Sequence, residues 1–425
     1  MNIGIAIGRI GGVDGVALET EKWIEVLQRM GHKVFIISGQ YQDWQIDPKR
    51  DTLVKEMSFF DPSCQWDQEN AFFEPDEEPM ELLYHIDNYS NIICNKMIDW
   101  IDKNKIDILI SENASALPAH LSMGLAIKKV VTRTRIKTIS HDHDFAWERG
   151  DRYVSPFKEI NDFIADTFPL REPNVINAVI NSNAKKDLWE KFGKEAVVVP
   201  NVMDFDRPFG HLTEKNRNLR YDLGLSDEDI LLFQVTRIVR RKGIETAIEL
   251  VHRLNDSRIK LIITGSHADD EGSIYYNELV DLIDKLNLDE QVLFAAHMIN
   301  HKGELAGIGD TYTLSDAYAN ANSCTYFSTY EGFGNAFVEA VLAKKPIFVN
   351  NYKPVFWPDI GSKGFKTVMI EDSKLTDKAV KDIAEIIYNE KLNKEIGEYN
   401  WHLGKKYFSF DTLREKLEEI IKKFE

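Results

Sequence analysis

Short apolar runs alternate with longer amphipathic stretches along most of the chain, the pattern of repeated parallel β/α units. The first repeat is the plainest. Residues 2–8 predict a buried strand, 10–15 a glycine-rich loop and 16–30 a helix. Gly31 stands where a helix C′ glycine belongs, and 33–38 predict the next strand. Further strands are expected at 106–110, 137–140, 175–181 and 196–200. Residues 43–79 break the rhythm with acids, aromatics and prolines. They read as an irregular insertion, either a flap near a pocket or a surface excursion.

Periodicity lapses again over 201–218, where Asn, Asp, Pro and Gly suggest a linker. A second series follows. Its strands are expected at 230–235, 260–264, 292–295, 325–328 and 346–350, with helices at 244–254, 275–286 and 336–342. A helical pattern runs from 377 onward. The fold class is therefore α/β, with two Rossmann-like doubly wound domains, and the default ligand site lies at the carboxyl ends of their strands, in the cleft between them.

Composition narrows the partners. The 425 residues are 43% hydrophobic and 28% charged, enough apolar material for two cores. The formal charge of -17 repels phosphate backbones and anionic bilayers, which argues against nucleic-acid and membrane partners. Cys64, Cys94 and Cys324 lie far apart and give no disulfide or zinc spacing. No signal-peptide pattern and no membrane-length apolar run is recognisable, so a cytoplasmic location is expected.

The most informative stretch is Tyr330-Glu331-Gly332-Phe333-Gly334-Asn335-Ala336-Phe337-Val338-Glu339-Ala340. A glycine-bearing turn joins a strand to a helix, so backbone N–H groups face an anion at the helix start. Two carboxylates flank that turn, one suited to sugar hydroxyls and the other to ribose hydroxyls. An ordinary loop with two solvated acids is the plainer alternative.

Glu331 through Glu339, with Ser328-Thr329-Tyr330 before and Ala340-Val341-Leu342-Ala343 after, resembles the Glu-x7-Glu signature of family-four retaining glycosyltransferases. That family has the GT-B fold, and the likeness is good in the carboxyl half and loose in the amino half. Thr236-Arg237-Ile238-Val239-Arg240-Arg241-Lys242-Gly243 resembles the family segment that clamps the donor diphosphate. The resemblance gives that role to Arg237 and Lys242, whose charge suits a leaving diphosphate, and leaves Arg240 and Arg241 in solvent. Val199-Pro200-Asn201-Val202-Met203-Asp204 is similar to the interdomain Pro-Asn-Gly-Val-Asp, with Val202 replacing the glycine. Gly11-Gly12-Val13 resembles the amino-terminal loop whose amides reach the donor phosphate. Donor contacts are therefore expected at Gly11, Gly12, Arg237, Lys242, Glu331, Gly332, Phe333, Gly334, Asn335 and Glu339, with base selection near His297 and Met298. The implied boundaries are 1–203 for an acceptor domain, 204–405 for a donor domain, and 406–425 for a last helix crossing back.

Ser140-His141-Asp142-His143-Asp144-Phe145-Ala146-Trp147-Glu148-Arg149-Gly150-Asp151-Arg152 follows a strand and opens at its carboxyl end. His141 is similar to the family's strand-end histidine beside the transferred sugar. Side chains alternate along an extended segment, so His141 and His143 share a face. This leaves a rival reading: His-x-His, or Asp142-x-Asp144, as a divalent metal site. The two-domain landmarks favour donor binding without metal or other cofactor, and a chelator separates the two readings. Acceptor contacts are expected at His143, Trp147, Arg149 and Arg152, the two arginines suiting an anionic acceptor. Simple pairing of Arg149 and Arg152 with Glu148 and Asp151 is the alternative.

The resemblance implies a retaining hexosyltransferase that moves sugar from a nucleotide diphosphate to a small polar acceptor, phosphorylated or carboxylated, as in compatible-solute or glycoside synthesis. Catalytic roles fall on His141, Arg237, Lys242 and Glu331. The rivals are a non-catalytic nucleotide-sugar binding protein and a hydrolysing sugar-nucleotide epimerase of similar architecture.

Overall fold

The computed structural model describes residues 1–266, 270–300 and 312–424. The chain divides into two compact units, Met1–Asn201 with Leu413–Glu425, and Val202–Thr412. Each is built on its own parallel sheet.

In the first unit seven strands lie in the spatial order Asp51–Leu53, Lys33–Ser38, Asn2–Ile7, Ile108–Glu112, Lys137–Asp142, Val175–Val179 and Ala196–Val198. The strands are rich in Ile and Val because helices cover both faces of a parallel sheet, so both sides of each strand are buried; Ile5, Ile36 and Ile110 are fully enclosed. Asp14 starts the first helix, Gly15–Arg29, by accepting from the amides of Val16 and Ala17. Chain order reverses between Asn2–Ile7 and its neighbour Ile108–Glu112. That reversal leaves a crevice at their carboxyl ends.

Residues 43–79 correct the expectation of irregular structure. They contain the edge strand Asp51–Leu53, the helix Pro62–Gln68 and a π-helical turn at Glu69–Phe73. Ala71, with Trp66 and Phe72, packs in a cluster with Leu82, Ile86 and Phe168. Buried Asp67 ties the segment down, accepting from the Ser122 hydroxyl at 2.7 Å and meeting His85 Nδ1 at 2.8 Å. The aromatics that made the segment look unusual are its anchors.

The second unit repeats the plan with six strands, in the order Val292–Phe294, Ile259–Ile263, Ile230–Gln234, Ser323–Tyr326, Ile347–Asn350 and Met369–Ile370. Its reversal falls between Ile230–Gln234 and Ser323–Tyr326. The stretch expected as a linker is pinned within this unit. Met203 N–H donates to Phe408 O at 2.8 Å, and the Asn216 amide bridges His211 O and Asp316. Three helices close the chain, Asp377–Tyr388, Glu390–Phe408 and Phe410–Lys422. Leu413, Leu417 and Ile420 repeat at helical spacing and are fully buried, and the chain from Leu413 on belongs to the first unit. Among the described residues no helix is long and apolar enough to cross a membrane.

Candidate active site

In the first unit, a cavity of about 370 Å³ opens where chain order reverses. The ends of the two central strands line it, with Ile7, Gly8 and Arg9 from one and Glu112 and Asn113 from the other; Asp144, Arg149, Arg152 and Tyr153 come from the segment after a third strand. Arg152 lies over the Phe73 ring at 4.4 Å and the Tyr153 ring at 4.6 Å, and reaches Gln68 Oε1 at 3.2 Å. Arg149 pairs with Asp144. Glu148 accepts from the Phe145 amide at 2.7 Å, and burial pushes its carboxyl up to about 7. Arg9 is 3.4 Å from Asp14. Three guanidinium groups thus line a pocket with three acids, Asp14, Glu112 and Asp144, among the same walls.

Beneath this cavity lies a group that sequence reading only half anticipated. His141 and His143 do share a face, with ring centroids 4.3 Å apart. Glu112, which no motif marked, completes the group: it stands in register with His141 on the adjacent strand, so both side chains leave the sheet on one side. Glu112 Oε2 is 2.9 Å from His141 Nδ1 and 3.7 Å from His143 Nε2. Burial would raise the Glu112 carboxyl, but the two imidazoles outweigh it and bring it down to about 2. Burial pushes His141 below its ordinary value. For His143 burial acts the same way, yet the Glu112 carboxylate prevails and raises it. His141 is fully enclosed and stacks on Trp23 at 4.0 Å.

Trp147 is placed apart from the cavity wall. Its Nε1–H donates to Asp187 at 2.9 Å and its ring stacks on Phe145 at 4.6 Å. Gly11 and Gly12 have φ of +82° and +75°, and a Cβ on Gly11 would stand 2.0 Å from the Gln42 carbonyl. Backbone crowding by the short Tyr41–Gln42 strand thus requires glycine there.

In the second unit the chemistry gathers where its own chain order reverses. Two loops meet there, one following Gln234 and the other following Tyr326. Gln234 fastens the first by donating to Lys242 O at 3.1 Å, and accepts from the Thr325 hydroxyl at 2.6 Å. Glu331 receives Lys242 on one oxygen and Arg241 on the other, at 2.9 Å for Arg241. Lys242 and Glu331 are each only 8% exposed. Burial opposes the Glu331 charge, but Lys242 and then Arg241 hold its carboxyl below the ordinary carboxylate range. Arg241 keeps a solvent-exposed side chain, as expected, yet the one-turn helix Arg240–Lys242 also brings it onto Glu331 and Tyr330 O. Arg240 is exposed and pairs with Glu278 at 2.8 Å. Arg237 is exposed on the same loop.

The glycine turn behaves as its residues predict. Gly334 caps the helix Asn335–Leu342 with φ +125°. A Cβ there would meet the Tyr352 hydroxyl at 2.1 Å, while that hydroxyl donates to Phe333 O at 2.8 Å. Gly332 and Phe333 lie in the turn, Phe333 with its ring buried, and Asn335 opens the helix. Glu339 accepts from the Tyr318 hydroxyl at 2.9 Å, a bond that fixes its carboxylate. His297 is exposed and Met298 half-buried in the turn after Val292–Phe294, where Met298 O accepts from Tyr312 N–H at 2.8 Å.

Two parallel doubly wound units, one with a buried Lys–Glu pair beside a glycine turn, define a GT-B glycosyltransferase fold. The family described as "Glycosyl transferases group 1" matches residues 215–402, and the chain belongs to that family. It is 31% identical to a mannosylglucosylglycerate synthase of Thermotoga maritima, covering 99% of each chain. It is also 31% identical to one of Petrotoga mobilis, over 87% of this chain and 86% of the relative. Among solved structures, a glycosyltransferase from Rickettsia africae superposes with a TM-score of 0.67 at 17% identity, covering 100% of this chain and 98% of that one.

Proposed function

We propose that this glycosyltransferase transfers mannose, with retention of anomeric configuration, from a nucleotide diphosphate donor to a small carboxylated glycoside of the glucosylglycerate type. The observation that carries the donor half is the buried Lys242–Glu331 pair, joined by Arg241, beside the Gly332–Gly334 turn. Fixed cations next to a helix N-terminus suit a departing diphosphate, which gains charge as the glycosidic bond breaks. An Anabaena protein of the same fold has been crystallised with UDP-glucose, at 15% identity and a TM-score of 0.62. The names of both full-length relatives supply the sugar and the acceptor class, and the cavity lined by Arg9, Arg149 and Arg152 suits a carboxylate.

In this reading Arg237 and Lys242 neutralise the leaving diphosphate without a metal on it, and one of its oxygens takes the acceptor proton. The acceptor oxygen attacks the face from which the diphosphate departs, through an oxocarbenium-like state. Glu331 orients the sugar. His141, enclosed and bonded to Glu112, acts by positioning rather than by contact. A non-catalytic binding protein would keep the cluster and show no turnover.

The test is direct. Full-length protein is incubated with GDP-, UDP- and ADP-sugars and glucosylglycerate, and products are followed by mass spectrometry and by NMR of the new anomeric centre. We expect one mannosyl donor to give a retained linkage. Binding of nucleotide, read as a raised melting point, without transfer to any carboxylated acceptor would overturn the proposal in favour of a binding protein.

A further inference from the structure

Glu112, His141 and His143 form, among the described residues, the one group of three His, Cys, Asp or Glu side chains whose ligand atoms all lie within 4.8 Å of one another. Three polar atoms in it, Glu112 Oε1, His141 Nε2 and His143 Nε2, are buried and have no hydrogen-bond partner. Buried polar atoms of native proteins are nearly always satisfied, so three together in one cluster call for an occupant. A bridging water, with two donors and two acceptors, is the rival occupant for these three atoms, and metal content separates the two.

The donor set and spacing answer the question of what the occupant is. We propose that Glu112, His141 and His143 bind a divalent transition-metal ion of the zinc class in the first unit. Two imidazole nitrogens and one carboxylate oxygen are the three protein ligands of an open zinc site. Arms of about 2.0–2.2 Å at tetrahedral angles hold neighbouring donors roughly 3.3 Å apart. His143 Nε2 lies 3.7 Å from the Glu112 carboxylate, near that figure, while His141 Nδ1 is hydrogen-bonded to the same carboxylate at 2.9 Å and leaves its unpartnered Nε2 as the ligand atom. The 3.7 Å separation is too long for a hydrogen bond but suits two ligands of one ion. Rigidity favours it as well. His141 and Glu112 are paired on adjacent strands, and Trp23 lies flat against the His141 ring at 4.0 Å. Asn113 fixes the next turn, accepting from the His143 amide at 3.0 Å and donating to Asp144 at 3.0 Å.

Glu112 also lines the cavity of Arg9, Arg149 and Arg152, so the route in for the ion, and the fourth coordination position for a water or a ligand oxygen, lie on that side. This site is separate from the diphosphate cluster, which remains free of metal. It does not rest on the transfer reading, since metal content is measured without substrate.

The experiment uses the full chain, stripped with chelator, loaded with Zn²⁺ or Co²⁺, desalted and analysed for metal by mass spectrometry. We expect about one ion retained per chain, with visible d–d absorption for cobalt in a low-coordinate nitrogen and oxygen field. His143→Ala and Glu112→Gln should each weaken retention by more than about 100-fold, beyond what an outer-shell change costs. Far-ultraviolet circular dichroism confirms that each variant is folded. Should a variant fail to fold, the stoichiometry and cobalt spectrum of the wild type decide alone. No retained ion in the wild type, or equal retention in folded His143→Ala and Glu112→Gln, would overturn the assignment.

Discussion

Glu331 holds two cations, Lys242 buried with it and Arg241 reaching in from solvent, and replacing it by glutamine keeps its shape while removing its charge. We expect Glu331→Gln to lower sugar transfer by about 100-fold or more. Breaking a buried pair also costs stability, about 3 kcal/mol here, with the fold retained. A melting curve and a product assay read the two effects separately, and a variant of unchanged activity removes Glu331 from the mechanism. Glu148 makes a prediction of different sign. Its folded value of about 7 lies above the ordinary 4.5, pushed up by burial and by Asp144 and Asp187. Between those values the folded chain binds more protons than the unfolded one, so this group's contribution falls as pH rises from about 4.5 to 7. Glu148→Gln keeps the bond from the Phe145 amide and removes the charge. Its melting point should therefore gain on the wild type between pH 5 and pH 8, and a constant difference would contradict this. Residue by residue, spacing revealed His141 with His143 because strand side chains alternate. It hid Glu112, because strand register is a long-range property joining positions 29 apart. The Arg241–Glu331 pair is hidden for a related reason: which arginine of a run reaches the acid depends on a one-turn helix that no periodicity marks.

At the level of elements, the glycine turn is where backbone and chemistry depend on each other. Gly334→Ala would force a Cβ into the Tyr352 hydroxyl at a φ that disfavours alanine. We expect a loss of about 1–3 kcal/mol together with weakened nucleotide binding, both followed by thermal shift with and without nucleoside diphosphate. Adding Tyr352→Phe removes the clashing oxygen and should recover part of the loss; no recovery would place the cost in the backbone alone. Strands were legible to within about two residues because parallel strands buried on both faces are nearly continuous apolar runs. The stretch 43–79 was not, since its helices are short, interrupted by proline, and held by aromatic packing and by Asp67 rather than by a regular stripe. The glycines at 11 and 12 were found correctly as a special loop. The crowding by Gln42 that demands glycine there comes from 31 residues further along.

For the molecule as a whole, the two sheets follow one plan, and the sequence rhythm showed both. The rhythm could not show that the last stretch belongs to the first sheet's unit, because an amphipathic helix declares only that it has a partner. Leu417, fully buried, tests that membership. Leu417→Ala should cost about 2–4 kcal/mol, and thermal unfolding with limited proteolysis should show loosening within Met1–Asn201. Loosening confined to Val202–Thr412 would speak against it.

Such membership makes the first unit discontinuous in sequence, with the whole of Val202–Thr412 inserted between its parts. A ribosome supplies residues in order, so the inserted unit has its full set of strands before its host receives Leu413, Leu417 and Ile420. The nascent chain therefore carries, for the time needed to translate some two hundred residues, a first unit still awaiting its last apolar segment. Chaperone engagement during synthesis should be concentrated on that waiting surface.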